Sequence, residues 1–412
     1  MRFLILLVVP MLSFAAEAQA QLQVASSQQA PASHDRFSPP AIDAGDYVYV
    51  SGQGPRRKDG STPKSFADQV HQSLENVRSA LEAAGLTMDH LVYVQVYLED
   101  INRHGELDKA FAGYFPKIPP ARAVLGVARI PESPVQITAV TVRDLNRMQP
   151  VFPSGFKPSK AYSPGMLTHD RLFVSTMLGS DASSGQVSRD PAAQVDFALD
   201  CLKAVVEAAG LKMNNLVFVN PYLTREVPMR TMNEHYARRF EFGNTPARAT
   251  IEVSALPEGA HIAYTGVAVR DLSQRRAIRP KNMPPSPTAS PCVFAGDTLY
   301  CSAKSGFIPG PNGGVYAATT ADQVRQTMRN LLDNLEEADM RFDQVVSTTV
   351  YLDDLSESVV FEKVYRKYFI GALPAQTTVQ QIQPAERKPD EEGHYPDLEQ
   401  VSLIAVRSRP NR

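Results

Sequence analysis

The chain has 412 residues, a formal net charge of −2 and 43% apolar residues. That is globular composition with enough apolar side chain for sizeable cores, and too long for one average domain. A charge so near zero lacks the basic footprint of a nucleic-acid partner.

At the N-terminus, Arg2 precedes the apolar run "FLILLVVPMLSF", followed by "AEAQA", in which Ala18 and Ala20 form an A-x-A cleavage site. This order reads as a secretory signal peptide over residues 1–20. The run falls short of the roughly 20 residues that span a bilayer, and no later segment reaches that length, so no membrane partner is expected. An exported, periplasmic or secreted protein is the expectation. Residues 21–36, rich in Gln, Ala and Ser, read as a disordered leader.

The next segments establish a pattern that then recurs. A hairpin around Gly45-Asp46 leads into "YVYVSG", a β-rich stretch. Phe66, Val70, Leu74, Val77 and Leu81 form one apolar helical stripe that stops at Gly85. "LVYVQVYLED" alternates as a strand, with Val92, Val94, Val96 and Leu98 on one face. A shorter helix, "ELDKAFAGYF", and two strands, "RAVLGVARI" and "VQITAVTVRDL", close a ββαβαββ unit. Two helices then cover one face of a sheet whose other face is also apolar and needs a cover.

The pattern repeats. "EAAGL" occurs at 82–86 and 207–211 with "EEADM" at 336–340, and Ser51, Ser175 and Ser302 stand in register. "PAR" ends at Arg122 and Arg248, and its counterpart "PAQ" ends at Gln376, at a spacing of about 127 residues. The chain therefore divides into units over 37–146, 163–273 and 290–409, joined by Pro-, Ser- and base-rich extended linkers over 147–162 and 274–289. The third unit also carries a charged loop, "PAERKPDEEGHYPDLE", in place of a short turn. Three linked copies can cover one another's sheets.

Of three cysteines, Cys201 falls in a helix and reads as core. Cys292 and Cys301 face each other across a hairpin turning at Gly296-Asp297. They are expected as small apolar residues beneath the sheet, with a cross-strand disulfide as the alternative. The eight histidines show no metal-ligand spacing, and "SGQGP" reads as a turn, so neither a metal nor a cofactor is expected.

"SGQGP" at 51–55, "QSLENVRSALEAAGL" at 72–86, "VYLED" at 96–100, "PPARAVLGVARIP" at 119–131 and "VQITAVTVR" at 135–143 together resemble the RidA (YjgF-like) family. The second and third units repeat these stretches more loosely. The resemblance implies an α+β fold of three tandem chorismate-mutase-like domains, a pseudo-trimer formed within one chain, hence a monomer. It also implies clefts between units that take a small carboxylate or imine, and hydrolysis of 2-imino or enamine acids to 2-keto acids and ammonia.

By the same resemblance, Arg122 and Arg248 clamp the substrate carboxylate, as a planar, permanently charged fork does well. Gln376 marks a third cleft that has lost this clamp. Ser51 and Ser175 match a ligand-contacting serine, and Asn233 a second-helix asparagine replaced by Asp108 and Glu362 in the other units. Thr250 completes the set in unit two, which is the best-equipped half-site. The glutamate that such hydrolases carry on the last strand corresponds to Gln136, Ala263 and Gln400, and no amide accepts a proton from water at neutral pH. A family tyrosine on the first hairpin finds no clear match near "SPP", "SPG" and "SPC". A non-catalytic carboxylate-binding protein is the alternative function, and an endoribonuclease a remote one.

Overall fold

The computed structural model describes residues 38–407 except 182–183, 282, 311–312 and 383–384. The expected signal peptide (1–20) and leader (21–36) lie outside the described residues.

Unit one comprises Ala41–Asp43 (β1), Tyr47–Gln53 (β2), Phe66–Ala83 (α1), Leu91–Leu98 (β3), His104–Tyr114 (α2), Ala121–Gly126 (β4) and Val135–Val142 (β5). Its sheet runs β1-β2-β5-β3-β4, with β3 and β4 parallel and the other pairs antiparallel. Local chemistry sets the helix ends. Ser65 caps α1 by accepting the Asp68 amide at 3.1 Å. Gly85 leaves the helix in the left-handed region at φ 73°. Gly210 does the same at 74°, and in the third copy Asp339 takes this conformation at 55°.

Unit two contains Gln149–Val151 (β6), Gly165–Leu167 (β7), Arg171–Leu178 (β8), Pro191–Ala208 (α3), Leu216–Leu223 (β9), Met229–Ala237 (α4), Ala247–Arg248 (β10), Ile251–Glu252 (β11) and Ile262–Val269 (β12). Unit three contains Arg275–Ile278 (β13), Cys292–Ala295 (β14), Thr298–Ser305 (β15), Thr320–Glu337 (α5), Val345–Leu352 (β16), Ser358–Tyr365 (α6), Ala375–Gln380 (β17) and Glu399–Val406 (β18). The segments expected as linkers do more than connect. β6 extends the second sheet by pairing with β7, and β13 extends the third by pairing with β14. Pairing satisfies backbone groups that an extended linker would leave to solvent.

Each unit has a helix-side core; in unit one Val70, Leu74, Val77 and Leu81 of α1 pack on Val94, Val96 and Leu98 of β3. Val92, expected on that same face, instead joins an inter-unit cluster, because the β3–β5 register shifts between Leu91 and Tyr93. The opposite sheet faces meet, as the need for a cover required. Tyr97, Leu125 and Ile130 of unit one pack with Tyr222, Ile251 and Ala263 of unit two and with Tyr351 and Val379 of unit three. The three sheets surround a cavity of about 100 Å3 lined by residues of all three units.

Near this junction the copies differ. Tyr47, Arg171 and Thr298 hold matching positions, each directly after an aspartate. The buried Arg171 guanidinium donates to Tyr300 Oη at 3.0 Å and Thr298 Oγ1 at 2.8 Å, and lies 4.4 Å from the Tyr47 ring. One arginine thus bonds or stacks with all three units, a role no single-copy motif announces.

Cys292 and Cys301 are directly opposed, with Cα atoms 4.0 Å apart, and form a disulfide. This corrects the expectation of two unlinked apolar residues: the antiparallel register brings the thiols within bonding reach. Cys201 is free and half-buried, and burial pushes its thiol up to about 11.

Candidate functional site

Three equivalent inter-unit bonds define the clefts. The Arg122 amide of unit one donates to Ser175 Oγ of unit two at 2.7 Å. The Arg248 amide of unit two donates to Ser302 Oγ of unit three at 2.8 Å, and the Gln376 amide of unit three to Ser51 Oγ of unit one at 3.0 Å. The arrangement is cyclic, and each cleft lies where one unit's "PAR" strand meets the next unit's second strand.

The serines serve these junctions. Ser175 Oγ donates to Ser163 O at 2.6 Å, Ser302 Oγ to Ser290 O at 2.7 Å and Ser51 Oγ to Pro39 O at 2.5 Å. Each hydroxyl spends its proton and a lone pair on backbone, so Ser51 and Ser175 act as stitches between units. These bonds leave the ligand contact expected of Ser51 and Ser175 to the second lone pair of each hydroxyl. The set expected in unit two is divided between clefts: Ser175 belongs to the Arg122 cleft, whereas Arg248 and Asn233 belong with Ser302.

In the first cleft, the Arg122 guanidinium is buried and its Nη2 donates to Asp108. Phe111 and Tyr162 flank it, with ring centroids 4.8 and 5.5 Å away. Nη1 is buried and meets no hydrogen-bond acceptor among the described residues. Arg122 and Asp108 line a cavity of about 60 Å3 together with Val124, Tyr162, Thr176, Leu178 and Glu258. Burial raises the Tyr162 phenol above its ordinary range; Arg122 opposes the rise, and Glu258 and Asp108 add to it.

In the second cleft, Arg248 Nη1 donates to Asn233 Oδ1 at 2.7 Å, and Tyr236 lies 5.3 Å from the guanidinium. Burial lowers the Arg248 pKa, and Tyr236 and Tyr264 offset part of that. Thr250 Oγ1 is buried without a hydrogen-bond partner among the described residues. In the third cleft, Gln376 Nε2 donates to Glu362 Oε1 at 2.5 Å and Thr378 Oγ1 at 3.1 Å, while Ser38 Oγ donates to Gln376 Oε1 at 2.9 Å. Burial raises the Glu362 pKa.

One helix position therefore tunes three clefts differently. Asp108 neutralises Arg122, Asn233 leaves Arg248 its charge, and Glu362 puts an acid beside an uncharged amide. An inward Asp108 balances its own arginine before it can repel a ligand.

The positions matching the missing glutamate are also distributed. Gln136 is buried against Gly52, beside Ser51 in the Gln376 cleft. Ala263 is fully buried, paired with Leu178 at the Arg122 cleft, and Gln400 pairs with Ser305 in unit three.

Two residues escaped the sequence reading. Tyr162 directly precedes the Ser163-Pro164 pair, and aligning the three Ser-Pro pairs one residue upstream, at Phe37, Tyr162 and Ala289, would have found it. Phe37 lies outside the described residues. Glu258 sits in an exposed turn of unit two, and nothing local connects it with Arg122 of unit one.

Among the described residues no group of His, Cys, Asp or Glu is arranged to hold a metal ion, and no helix is long and apolar enough to cross a membrane. A RutC family protein of Pyrococcus horikoshii is 36% identical over 107 residues, 25% of this chain and 85% of its own length. A 2-iminobutanoate/2-iminopropanoate deaminase of Rattus norvegicus is 38% identical over 111 residues, 27% of this chain and 80% of its own. A solved chorismatase structure, 12% identical, matches 77% of this chain and 93% of that one with a TM-score of 0.52, a likeness of fold alone. The model of the family described as Endoribonuclease L-PSP matches residues 27–142, 153–269 and 282–384. The chain belongs to this family, the RidA/YjgF family, as three tandem copies.

Proposed function

We propose that the protein is an exported hydrolase of 2-imino or enamine acids, releasing 2-keto acids and ammonia, and that it works as a single chain. The observation that carries this reading is the buried Arg122 guanidinium, whose Nη1 meets no partner among the described residues while the residue lines an inter-unit cavity. A desolvated guanidinium with an unused donor is suited to a substrate carboxylate. Relatives named as 2-iminobutanoate/2-iminopropanoate deaminases support the substrate class. The net charge of −2 favours a small-molecule ligand over RNA. Thr250, whose hydroxyl has no hydrogen-bond partner among the described residues, and Asn233 would assist Arg248 in the second cleft.

The test couples an amino-acid oxidase to purified mature protein and follows keto-acid release from the 2-imino acid. Faster release that Arg122→Ala slows supports the hydrolase; equal release with and without protein refutes it. Export is checked by sequencing the N-terminus of protein from a periplasmic fraction, which should begin after residue 20.

The last-strand residues Gln136, Ala263 and Gln400 favour a second reading, a small-carboxylate binder without turnover. It requires saturable binding of a 2-keto acid, weakened by Arg248→Ala, with no rate enhancement.

A further inference from the structure

We propose that Glu258 is the working carboxylate of the Arg122 cleft, delivered by unit two opposite the clamp of unit one. The proposal rests on the imine-hydrolase reading for its chemistry, but its placement is independent of it. Glu258 and Arg122 line the same small cavity, together with Asp108, which is already engaged by Arg122 Nη2. Of the two acids, Glu258 is therefore the one left for the ligand. It is solvent-exposed, so water reaches it.

The backbone supports the assignment. Glu258 lies in the left-handed region, at φ 59° and ψ 16°, ahead of Gly259 at φ 73°. A glutamate has no intrinsic preference for this conformation, so the surrounding turn must impose it. The turn is held across the unit boundary: Gly126 donates its amide to Ala255 O at 2.9 Å, and Ser254 donates to Gly126 O at 2.9 Å. Gly126 ends the strand that carries Arg122, so clamp and carboxylate are tied through a short path.

The matching loops separate the clefts by function. Unit one has Glu132 in this position, but its loop runs along unit three, with Arg129 paired to Gln380, and Glu132 lies 3.8 Å from Arg56. That is the cleft of Gln376, an acid without a clamp. Unit three has Ala385, whose amide donates to Asp353 at 3.3 Å, so the Arg248 cleft has a clamp without this acid. Among the described residues, only the Arg122 cleft combines both.

In the reaction, Arg122 Nη1 donates to the carboxylate of R–C(=NH2+)–COO−, and the iminium faces Glu258. Glu258 takes a proton from water as the water oxygen bonds to the imine carbon and the C=N π pair moves to nitrogen. Glu258 then returns that proton to the amine. The C–N bond breaks as the hydroxyl oxygen forms the carbonyl, and its proton leaves with the nitrogen. The products are R–CO–COO− and NH4+, with no oxidant or further reactant.

Glu258→Gln in the full mature chain tests this, with 2-iminopropanoate generated from alanine as substrate. We expect kcat to fall about a hundredfold with KM nearly unchanged, and Glu132→Gln to leave the rate as it was. Binding provides a readout apart from turnover. In an Arg248→Gln background, Glu258→Gln should weaken alanine, which carries a cationic nitrogen, about fivefold, and pyruvate less than about twofold. If the parent chain proves inactive but this selective loss of alanine appears, the hydrolase reading fails and the Glu258 assignment stands. If Glu258→Gln turns over like the parent and holds alanine equally well, the assignment is overturned.

Discussion

The amide of Arg122 and the hydroxyl of Ser175 join the first unit to the second at 2.7 Å, and the same hydroxyl donates onward to Ser163 O at 2.6 Å. The residue expected to bind ligand and the residue holding the interface are thus adjacent links of one chain of bonds. Ser175→Ala would leave a buried amide and a buried carbonyl unpaired, at a cost of about 1–3 kcal/mol. Urea unfolding should show a lower midpoint of about that size, whereas a surface serine such as Ser184 changed to Ala should shift it far less.

Asp108 competes with any anion for Arg122. Asp108→Asn copies the Arg248–Asn233 arrangement and removes one negative charge from the cleft. Affinity for a 2-keto acid in the Arg122 cleft should rise by about tenfold, a gain of roughly 1.4 kcal/mol. Calorimetric titration in an Arg248→Gln background reads that cleft alone, and an unchanged or weaker affinity would contradict the role given to Asp108.

The Gln376 cleft has every amide atom of Gln376 engaged, by Glu362, Thr378 and Ser38. Gln376→Arg alone should give only a weak carboxylate site, because Glu362 would compete for the new guanidinium as Asp108 does for that of Arg122. Gln376→Arg with Glu362→Asn should bind the keto acid about tenfold more tightly at this added site. The affinity of the added site in a titration distinguishes the single from the double variant.

Unit three holds a fully buried acid, Glu399, which accepts a hydrogen bond from Thr327. Burial pushes its pKa from 4.5 up to about 8; Asp397, itself raised to about 7 by burial, adds to the shift, and Thr327 opposes it. Below pH 4.5 the folded and unfolded chains both hold the proton. Between pH 4.5 and 8 only the folded chain keeps it, so stability falls as pH rises through this window. Glu399→Gln should flatten that part of the stability profile and be the more stable protein at pH 8, by up to roughly 4 kcal/mol. Denaturant midpoints measured from pH 5 to 9 check the sign. Although Glu399 neighbours Gln400 in sequence, strand alternation turns it onto α5 and away from the clefts.

Much of each unit was legible because its determinants are local. The stripe from Phe66 to Leu81, the turn at Gly85 and the alternation of β3 each depend on neighbours within a few residues. Val92 marks where that logic stops: a register shift against β5 moved it to the other face, and only the partner strand determines such a shift. Arg171 escaped for a similar reason, since its contacts with Tyr300 and Thr298 connect residues more than a hundred positions apart. The disulfide lay between these cases. The hairpin register opposed the two thiols, while their bonding became definite only with the folded hairpin.

The sequence by itself determined that one fold is repeated three times, and that Arg122 and Arg248 persist where Gln376 does not. Repetition and side-chain chemistry survive in a linear string. What only the tertiary structure decided is the composition of each cleft: Arg122 with Ser175, Tyr162 and Glu258, Arg248 with Ser302, and Gln376 with Ser51. Each cleft is built by two units, so its members obey no period of helix or strand. Cyclic packing of the three sheets brings them together, driven by the burial of apolar sheet faces that no single unit can cover alone.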